Sequence, residues 1–195
     1  MSAGSALKTL AFWAAAILVA PLFLSYAICS RLFGADRALH GSTQLLSLVP
    51  GITGQYLRRA FLAFALERCD RSATIEFGTV LSKAGCRIDE NAYIGPHCHL
   101  GLVHVERDAL LAAGVHVPSG PQTHGSADPS TPIRDQPGEV RMIRIGAGAW
   151  IGSAAVVMAD VGRDSVVAAG AIVTQPIPDR VLAAGAPARV VRSRA

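Results

Sequence analysis

The feature that most constrains this fold is a six-residue repeat of aliphatic side chains between residues 75 and 173. An internal repeat of fixed length decides the class of fold before local propensities do. A period of six predicts a chain that coils with three flat faces, in which each aliphatic side chain points inward and stacks on its equivalent about 18 residues away. A β-sandwich would show a period of two instead. The fourteen repeat positions are Ile75, Leu81, Ile88, Ile94, Leu100, Val105, Leu111, Val117, Ile145, Ile151, Val157, Val161, Val167 and Val173.

The repeat therefore predicts an all-β solenoid of roughly five coils. Glycine follows several of the aliphatic residues, as in Ile94-Gly95 and Ile151-Gly152, and we expect it to permit a tight corner between two faces. Prolines in the tail, residues 176–195, predict that the chain leaves the last coil there as an extended or turned segment, because proline cannot donate to a strand ladder.

Composition and charge exclude several classes of protein. Apolar residues make up 51% of the 195 residues and charged residues only 16%, which excludes a disordered chain. The four cysteines are sparse and none has CxxC spacing, so a disulfide scaffold is excluded as well. The net charge of +4 belongs to the part of the chain up to Ser72, with seven bases and three acids, whereas the remainder carries eleven of each. A DNA-binding domain would carry its basic charge over the fold itself, so we expect no nucleic-acid partner.

Residues 10–29 form an uncharged, apolar run. As a helix this run reaches roughly 30 Å, the thickness of the hydrocarbon core of a bilayer. Trp13 and Tyr26 lie near its ends, where aromatic rings favour the membrane interface. The run predicts a transmembrane segment. A cleaved signal peptide, with Lys8 before the run and Ala27 at its end, and a helix lying in the interface are the alternatives.

The charges beside this run predict its orientation. Only Lys8 precedes it, and four arginines follow. The positive-inside rule then places the C-terminal part of the chain in the cytoplasm, at the inner membrane. The four arginines are Arg31, Arg37, Arg58 and Arg59.

Residues 54–68 have apolar side chains at helical spacing, which predicts a short amphipathic helix. A basic amphipathic helix just after a membrane segment could lie on the anionic inner leaflet. It could equally cap the domain that follows.

The motifs of the last coils resemble a known family. They are IGAGAWIGSAAVVM, which contains Trp150-Ile-Gly-Ser153, and DSVVAAGAIVTQPIPDRVLAAGAPARVVR, which contains Thr174 and Ala-Gly-Ala-Pro187. With the histidine-containing excursion before them, they resemble the left-handed β-helix acyltransferases, most closely the galactoside, maltose and xenobiotic O-acetyltransferases. The resemblance covers about residues 75–192. Residues 1–72 resemble membrane-associated, polysaccharide-modifying members.

The repeat stops at Val117 and resumes at Ile145, and the segment between them, residues 118–144, is rich in turn residues. Long ordered loops of this kind tend to be functional. His124 lies in this loop. Transfer of an acyl group to a hydroxyl needs a base, and the pKa of an imidazole suits that role. The family carries its catalytic histidine in this excursion, so the resemblance assigns His124 as the general base. The alternative is a loop histidine that only satisfies a turn.

The other histidines have less specific assignments. His97 and His99 are candidates for contacts with the acceptor, with outward surface histidines as the alternative. Trp150 is a candidate for a packing residue or a wall of the site. His104 and His116 lie beside inward aliphatics, so we expect them to point outward. His99 and His104 are five residues apart, a spacing also found in the zinc site of the γ-class carbonic anhydrases, which share this fold by resemblance. A zinc protein of that type is therefore an alternative.

The resemblance also implies a donor site. In the family, coenzyme A lies between neighbouring coils of two subunits of a homotrimer. The positions that match its pantetheine contacts are Gly152, Ser153, Ala169 and Thr174, and those that match its phosphate contacts are Arg189 and Arg192. An arginine fork suits phosphate because it donates two hydrogen bonds. The alternative for Arg189, Arg192 and Arg194 is a solvated basic tail. Gln175 stands where the family commonly has a basic residue.

Together these observations predict a membrane-anchored O-acetyltransferase that moves an acetyl group from acetyl-CoA to a hydroxyl of a sugar or membrane-linked glycan precursor, without a metal. Two further alternatives stay open: a different acyl transfer, to an amine or with a longer acyl group, and a non-catalytic trimeric scaffold. The predicted domains are a transmembrane segment, residues 1–32, a linker with an amphipathic helix, residues 33–72, and a left-handed β-helix, residues 73–195, with its loop 118–144 and tail 176–195.

Overall fold

The computed structural model describes residues 3–194 and places three helices before a β-solenoid. The helices are α1, Ala3–Phe33, α2, Ala35–Ser47, and α3, Gly51–Ala65. The strands are β1, Arg68–Cys69, β2, Thr74–Ile75, β3, Val80–Leu81, β4, Arg87–Ile88, β5, Tyr93–Ile94, β6, His99–Leu100, β7, Val103–Val105, β8, Leu110–Leu111, β9, His116–Val117, β10, Ile143–Ile145, β11, Trp150–Ile151, β12, Val156–Val157, β13, Val166–Val167, β14, Ile172–Val173, β15, Val181–Gly185, and β16, Ala188–Ser193. A 3-10 helix, Ile133–Asp135, lies in the long loop.

The strands form three sheets, one for each face of the solenoid. The first sheet has the order β1-β4-β7-β10, the second β16-β15-β13-β11-β8-β5-β2, and the third β14-β12-β9-β6-β3. All strand pairs are parallel except β15 with β16. Single bridges from Ile145 to Val161 and from Val161 to Ile177 continue the first sheet. The chain has the left-handed β-helix fold of hexapeptide-repeat proteins, as predicted, and makes about six turns where roughly five were predicted.

The coils differ in length, as the slips in the phase of the six-residue repeat predict. Ile94 pairs with Ile75 in the coil before it and with Leu111 in the coil after it, and the first of these two steps along the chain is the longer. The step from Ile151 to its partner Val167 is shorter than either. The turns absorb these differences, since each coil needs register only with its neighbours.

All fourteen predicted repeat positions are buried, each with 1% or less of its surface exposed. The glycines that follow these positions were expected to permit tight corners, but the structure shows a different reason for them. A Cβ on Gly152 would lie 2.4 Å from the backbone N of Ala169, in the next coil, and one on Gly95 would lie 2.7 Å from the backbone of Ala112. These glycines allow neighbouring coils to approach closely, whereas the left-handed backbone conformation occurs elsewhere in the turns, as at Gly148 with a φ of 66°.

Helix α3 caps the first coil, which supports the second reading of residues 54–68. Arg58 is buried, with 2% exposed, although its position after the predicted membrane segment suggested a surface base. Its Nε donates to the carbonyl of Ile75, and its Nη1 donates to the carbonyls of Leu46 and Val49. This one side chain thus joins α3 to the end of α2 and to the first coil.

The segment predicted as a linker contains helix α2. Its buried stripe includes Leu39 and Leu46 but also Ser42 and Thr43, so the apolar period is too weak to be read from the sequence. Thr43 donates a hydrogen bond to the carbonyl of Leu81, which ties α2 to the first coil.

The prediction that the tail leaves the solenoid is wrong for residues 181–185. Strand β15 stays in the second sheet, parallel to β13, and β16 then folds back antiparallel on its edge. The prolines at positions 176, 178 and 187 all lie outside β15, so that Val181 and Ala183 remain free to pair and to be buried.

Candidate active site

The loop 118–144 folds back on itself, so that its two ends run side by side. The backbone N–H of Glu139 donates to the carbonyl of Gln122 at 2.7 Å, and that of Arg141 donates to the carbonyl of Ser119 at 2.8 Å. Gly138 lies against the segment that carries His124, and a Cβ there would be 2.7 Å from the backbone N of His124. The return segment of the loop therefore clamps the backbone of His124.

A second network holds the outer part of the loop. The Asp128 carboxylate accepts hydrogen bonds from the backbone and hydroxyl of Ser130, at 2.8 and 2.6 Å, and from the Thr131 hydroxyl at 2.7 Å. These bonds lower the pKa of Asp128 to about 2. The Gln136 amide donates to the carbonyls of Asp128 and Thr131. The pattern Asp-Pro-Ser-Thr is typical of a turn and is the one signal in the sequence for this network, which was not predicted.

His124 faces a cavity of about 310 Å³ between the loop and the third sheet. The sheet contributes His99 from β6 and His116 from β9, whose ring centroids are 5.2 Å apart. Lys83 lines the same cavity and pairs with Asp36 of α2 at 2.9 Å. The cavity is lined by Ser82, Lys83, His99, Gly101, His116, Val117, Pro118, Ser119, Thr123, His124 and Val140.

Burial, together with the nearby rings of His116 and His40, lowers the pKa of His99. His40 belongs to α2, and its ring stacks on that of His99 with 6.0 Å between centroids. The shift favours a neutral imidazole, which can both donate and accept a hydrogen bond. The wall opposite the loop is therefore polar and suited to hydroxyl groups, and helix α2 borders it.

Two of the three predicted acceptor contacts, His97 and Trp150, lie away from the cavity that holds His124. His97 occupies a turn with a φ of 57°, and its ring meets that of Phe77 edge-on at 5.3 Å. Trp150 lies on β11 of the second sheet and is 52% exposed. Neither residue lines the cavity that holds His124. Of the three predicted contacts, the structure brings only His99 to His124.

The spacing of His99 and His104 does not bring these two side chains together. His104 lies on β7 in the first sheet and its Nε2 is 2.9 Å from Asp89, whereas His99 lies on the third sheet. Within residues 3–194, no three histidine, cysteine or acidic side chains are grouped so that they could hold a metal ion. The exposed position of His116 agrees with the prediction that it points outward.

The predicted pantetheine contacts lie at both ends of the strands of the third sheet. Gly152, Ser153 and Ala169 share the corner before β12 and β14, where the backbone N–H of Gly170 donates to the carbonyl of Ser153 at 2.8 Å. Thr174 lies at the other end of β14 and lines a second cavity, of about 260 Å³. This second cavity is closed by the loop that carries His124, through Pro121, Gln122, Glu139 and Arg141.

Arg189 and Arg192 lie on β16, at the edge of the second sheet, and both are exposed. Each guanidinium donates to a neighbouring backbone carbonyl, of Ala188 and Ser193 respectively. Among the residues that the structure describes, neither forms an ion pair with an acidic side chain, so both are available to an anion.

A larger cavity, of about 610 Å³, lies at the corner between the first and second sheets. Most of the charged side chains that line it form ion pairs, as in Arg163 with Asp179 at 2.9 Å and Arg144 with Glu106. It lies apart from His124, and we give it no role in the chemistry.

The fold and the repeat define a left-handed parallel β-helix of hexapeptide repeats. Residues 142–175 match the family model described as hexapeptide repeat of succinyl-transferase. The last coils of the chain therefore carry the hexapeptide repeat of this family, within a fold that residues 3–194 build as a left-handed β-helix.

Several relatives and solved structures resemble the chain. Over 52 residues it is 52% identical to the galactoside O-acetyltransferase of Escherichia coli, an alignment that covers 26% of each chain. The crystal structure of a maltose O-acetyltransferase from Clostridium difficile 630 superimposes with a TM-score of 0.68 at 18% identity, over 90% of this chain and 89% of that one. A galactoside acetyltransferase in complex with coenzyme A superimposes with a TM-score of 0.64 at 23% identity, over 81% and 80%.

The chain spans about a quarter of the length of the curated relatives it matches. Coverage of 90% by the maltose O-acetyltransferase structure exceeds the β-helix alone, so the structural likeness extends into the helical N-terminal part.

Proposed function

We propose that the protein is an acetyl-CoA-dependent O-acetyltransferase, in which His124 is the general base and a sugar hydroxyl is the acceptor. The observation that carries the proposal is the position of His124, which a clamped loop holds against a polar cavity on the third sheet of a hexapeptide-repeat β-helix. The likenesses to galactoside and maltose O-acetyltransferases support the reaction class.

In the proposed reaction, the imidazole of His124 removes the proton from the acceptor hydroxyl while the oxygen attacks the thioester carbonyl of acetyl-CoA. The tetrahedral intermediate collapses with cleavage of the C–S bond. The imidazolium returns its proton to the departing thiolate of coenzyme A, and the acetyl ester is the product. No covalent enzyme intermediate and no metal take part in these steps. A base whose pKa lies near the working pH suits both proton transfers.

The donor is proposed to lie along the third sheet. The corner formed by Gly152, Ser153 and Ala169 presents backbone groups without bulky side chains, which allows a pantetheine arm to approach closely. Thr174 would meet this arm beside the loop. Arg189 and Arg192 would bind the phosphates, since a guanidinium fork donates two hydrogen bonds to such oxygens. In the family arrangement, a second subunit of a homotrimer would complete this groove.

The acceptor is proposed to be linked to the inner membrane, with the β-helix on the cytoplasmic side, where acetyl-CoA is found. Helix α2 supports this link because it borders the cavity through His40 and Asp36 and follows directly after the apolar helix α1. An acceptor carried by a membrane lipid would then reach the cavity from the helical side, which is consistent with a polysaccharide precursor.

The test is acetyl-CoA consumption by the full-length protein in detergent with a panel of sugars and glycolipids. His124→Ala is expected to lose about 10²–10⁴-fold in turnover, the contribution of a general base. His97→Ala is the matched control, because His97 is an exposed histidine outside the cavity, and it should retain its activity. Equal, background-level activity in all three proteins, with the β-helix intact, would favour the scaffold alternative.

A further inference from the structure

Helix α1 packs against the rest of the protein along most of its length. Phe12, Ala15 and Val19 are buried on its inner face, with 3–5% exposed. Further along, the hydroxyl of Tyr26 donates to the carbonyl of Ala65, at the end of α3, at 3.1 Å. The covered stripe thus includes the centre of the apolar run and not only one end of it.

The first coil of the β-helix also contacts this inner face. The guanidinium of Arg71 lies 4.7 Å from the ring centroid of Phe12 and 4.9 Å from that of Trp13. If α1 crossed a membrane with these contacts intact, the helix would draw Arg71 and α3 into the hydrocarbon region. A charged side chain and unpaired backbone groups are strongly disfavoured there. The docked arrangement and a membrane span therefore exclude each other.

The outer face of α1 is apolar as well. Leu10, Ile17 and Leu24 follow one another at seven-residue intervals and are 67%, 74% and 62% exposed. In a water-soluble helix this face would be polar. Leu7, Leu18, Ile28 and Leu32 are further exposed apolar residues of the same helix. Helix α1 is long and apolar enough for a membrane span only because both of its faces are apolar. One face packs against the protein, and the other faces the surroundings.

We infer that α1 lies in the plane of the bilayer, with its outer face in the acyl region of one anionic leaflet and its inner face on α3 and the first coil. This deepens the membrane part of the proposed function. The exposed bases at the two ends of the helix, Lys8 and Arg31, with Arg37 just beyond, complement anionic headgroups. A second copy of the chain fits this face less well, because either orientation of two such helices sets bases against bases.

Spin labels at positions 10, 17 and 24 test the inference in the full-length protein, reconstituted into vesicles of phosphatidylcholine and phosphatidylglycerol. Each label is attached to one variant, Leu10→Cys, Ile17→Cys or Leu24→Cys, in a Cys29→Ser background. The other cysteines are buried, and burial raises the pKa of Cys69 and Cys86 to about 12 and that of Cys98 above its usual value, so they do not compete for the label.

A helix in the plane gives three labels at one depth, about 5–10 Å below the headgroups. A spanning helix separates successive labels by roughly 10 Å along the membrane normal, with position 17 deepest, because each residue rises about 1.5 Å. That pattern, or three water-exposed labels, would overturn the inference.

A substitution pair tests which surface binds the lipid. Ile17→Asp should reduce partitioning into the same vesicles at least tenfold, whereas Val191→Asp, at a residue of β16 that is 60% exposed, should change it less than twofold. Equal effects of the two substitutions would contradict the assignment. Neither measurement depends on acetyl transfer, so a failure here is distinguishable from a failure of the His124 test.

Discussion

Replacing Gly138 by alanine tests whether the loop positions His124, the proposed general base. A Cβ on Gly138 would lie 2.1 Å from the carbonyl oxygen of Thr123 and 2.7 Å from the backbone N of His124, whereas ordinary contacts begin at 3.4 Å. The two segments must therefore separate by about 1.3 Å, and a displacement of about 1 Å can lower turnover about 100-fold. We expect kcat to fall roughly 10–100-fold, which corresponds to ~1.4–2.7 kcal/mol of lost transition-state stabilisation.

The assay is acetyl transfer to the best acceptor of the panel, together with thermal unfolding. Gly138 is exposed, so the melting temperature should change little. Gly41→Ala is the matched control, since a Cβ at Gly41 in α2 meets nothing within 4 Å and should leave kcat unchanged. An unaltered kcat in Gly138→Ala would refute the reasoning that the return segment positions His124.

Three further predictions concern stability, loop order and donor binding. Arg58→Met should lower the free energy of unfolding by about 2–4 kcal/mol in chemical denaturation, because it leaves buried carbonyls without their donor, whereas Arg59→Met, at the neighbouring half-buried position, should cost much less. The Asp128 carboxyl should titrate near pH 2 by NMR. Since its pKa is lowered on folding, its stabilisation of the loop is complete above its ordinary pKa of 3.8 and is lost as the pH falls through about 2; a midpoint near 4 would contradict the network. Arg192→Ala should raise KM for acetyl-CoA about tenfold, ~1.4 kcal/mol, with kcat within about twofold; an unchanged KM in steady-state kinetics would argue against the phosphate contact.

The solenoid could be predicted because its core is local in sequence. Ile94 is buried by Leu111 and Ile75, one coil away on either side, so a repeated residue type is enough to reveal the pattern. The unequal lengths of the coils are also visible in the sequence, as slips in the phase of the repeat, and turns of different length absorb them.

The candidate base could be predicted, but its surroundings only in part. His124 is marked by the loop that interrupts the repeat and by the chemistry of imidazole. His99 and His116 become neighbours through the pairing of β6 with β9, and His40 joins them only because α2 packs beside the third sheet. The repeat itself places His99 and His116 one coil apart, because they precede the repeat positions Leu100 and Val117. No pattern relates His40 to them, since its distance depends on the docking of a helix.

Helix α1 shows most clearly which properties follow from the sequence and which depend on the tertiary structure. The sequence by itself specifies an apolar helix with no charge between residues 10 and 29, because hydropathy depends only on composition. The tertiary structure alone decides that one face of this helix meets α3 and Arg71 while the other stays uncovered. The physical reason is that the burial of each face depends on which distant residues pack against it. A run of apolar residues does not specify those residues.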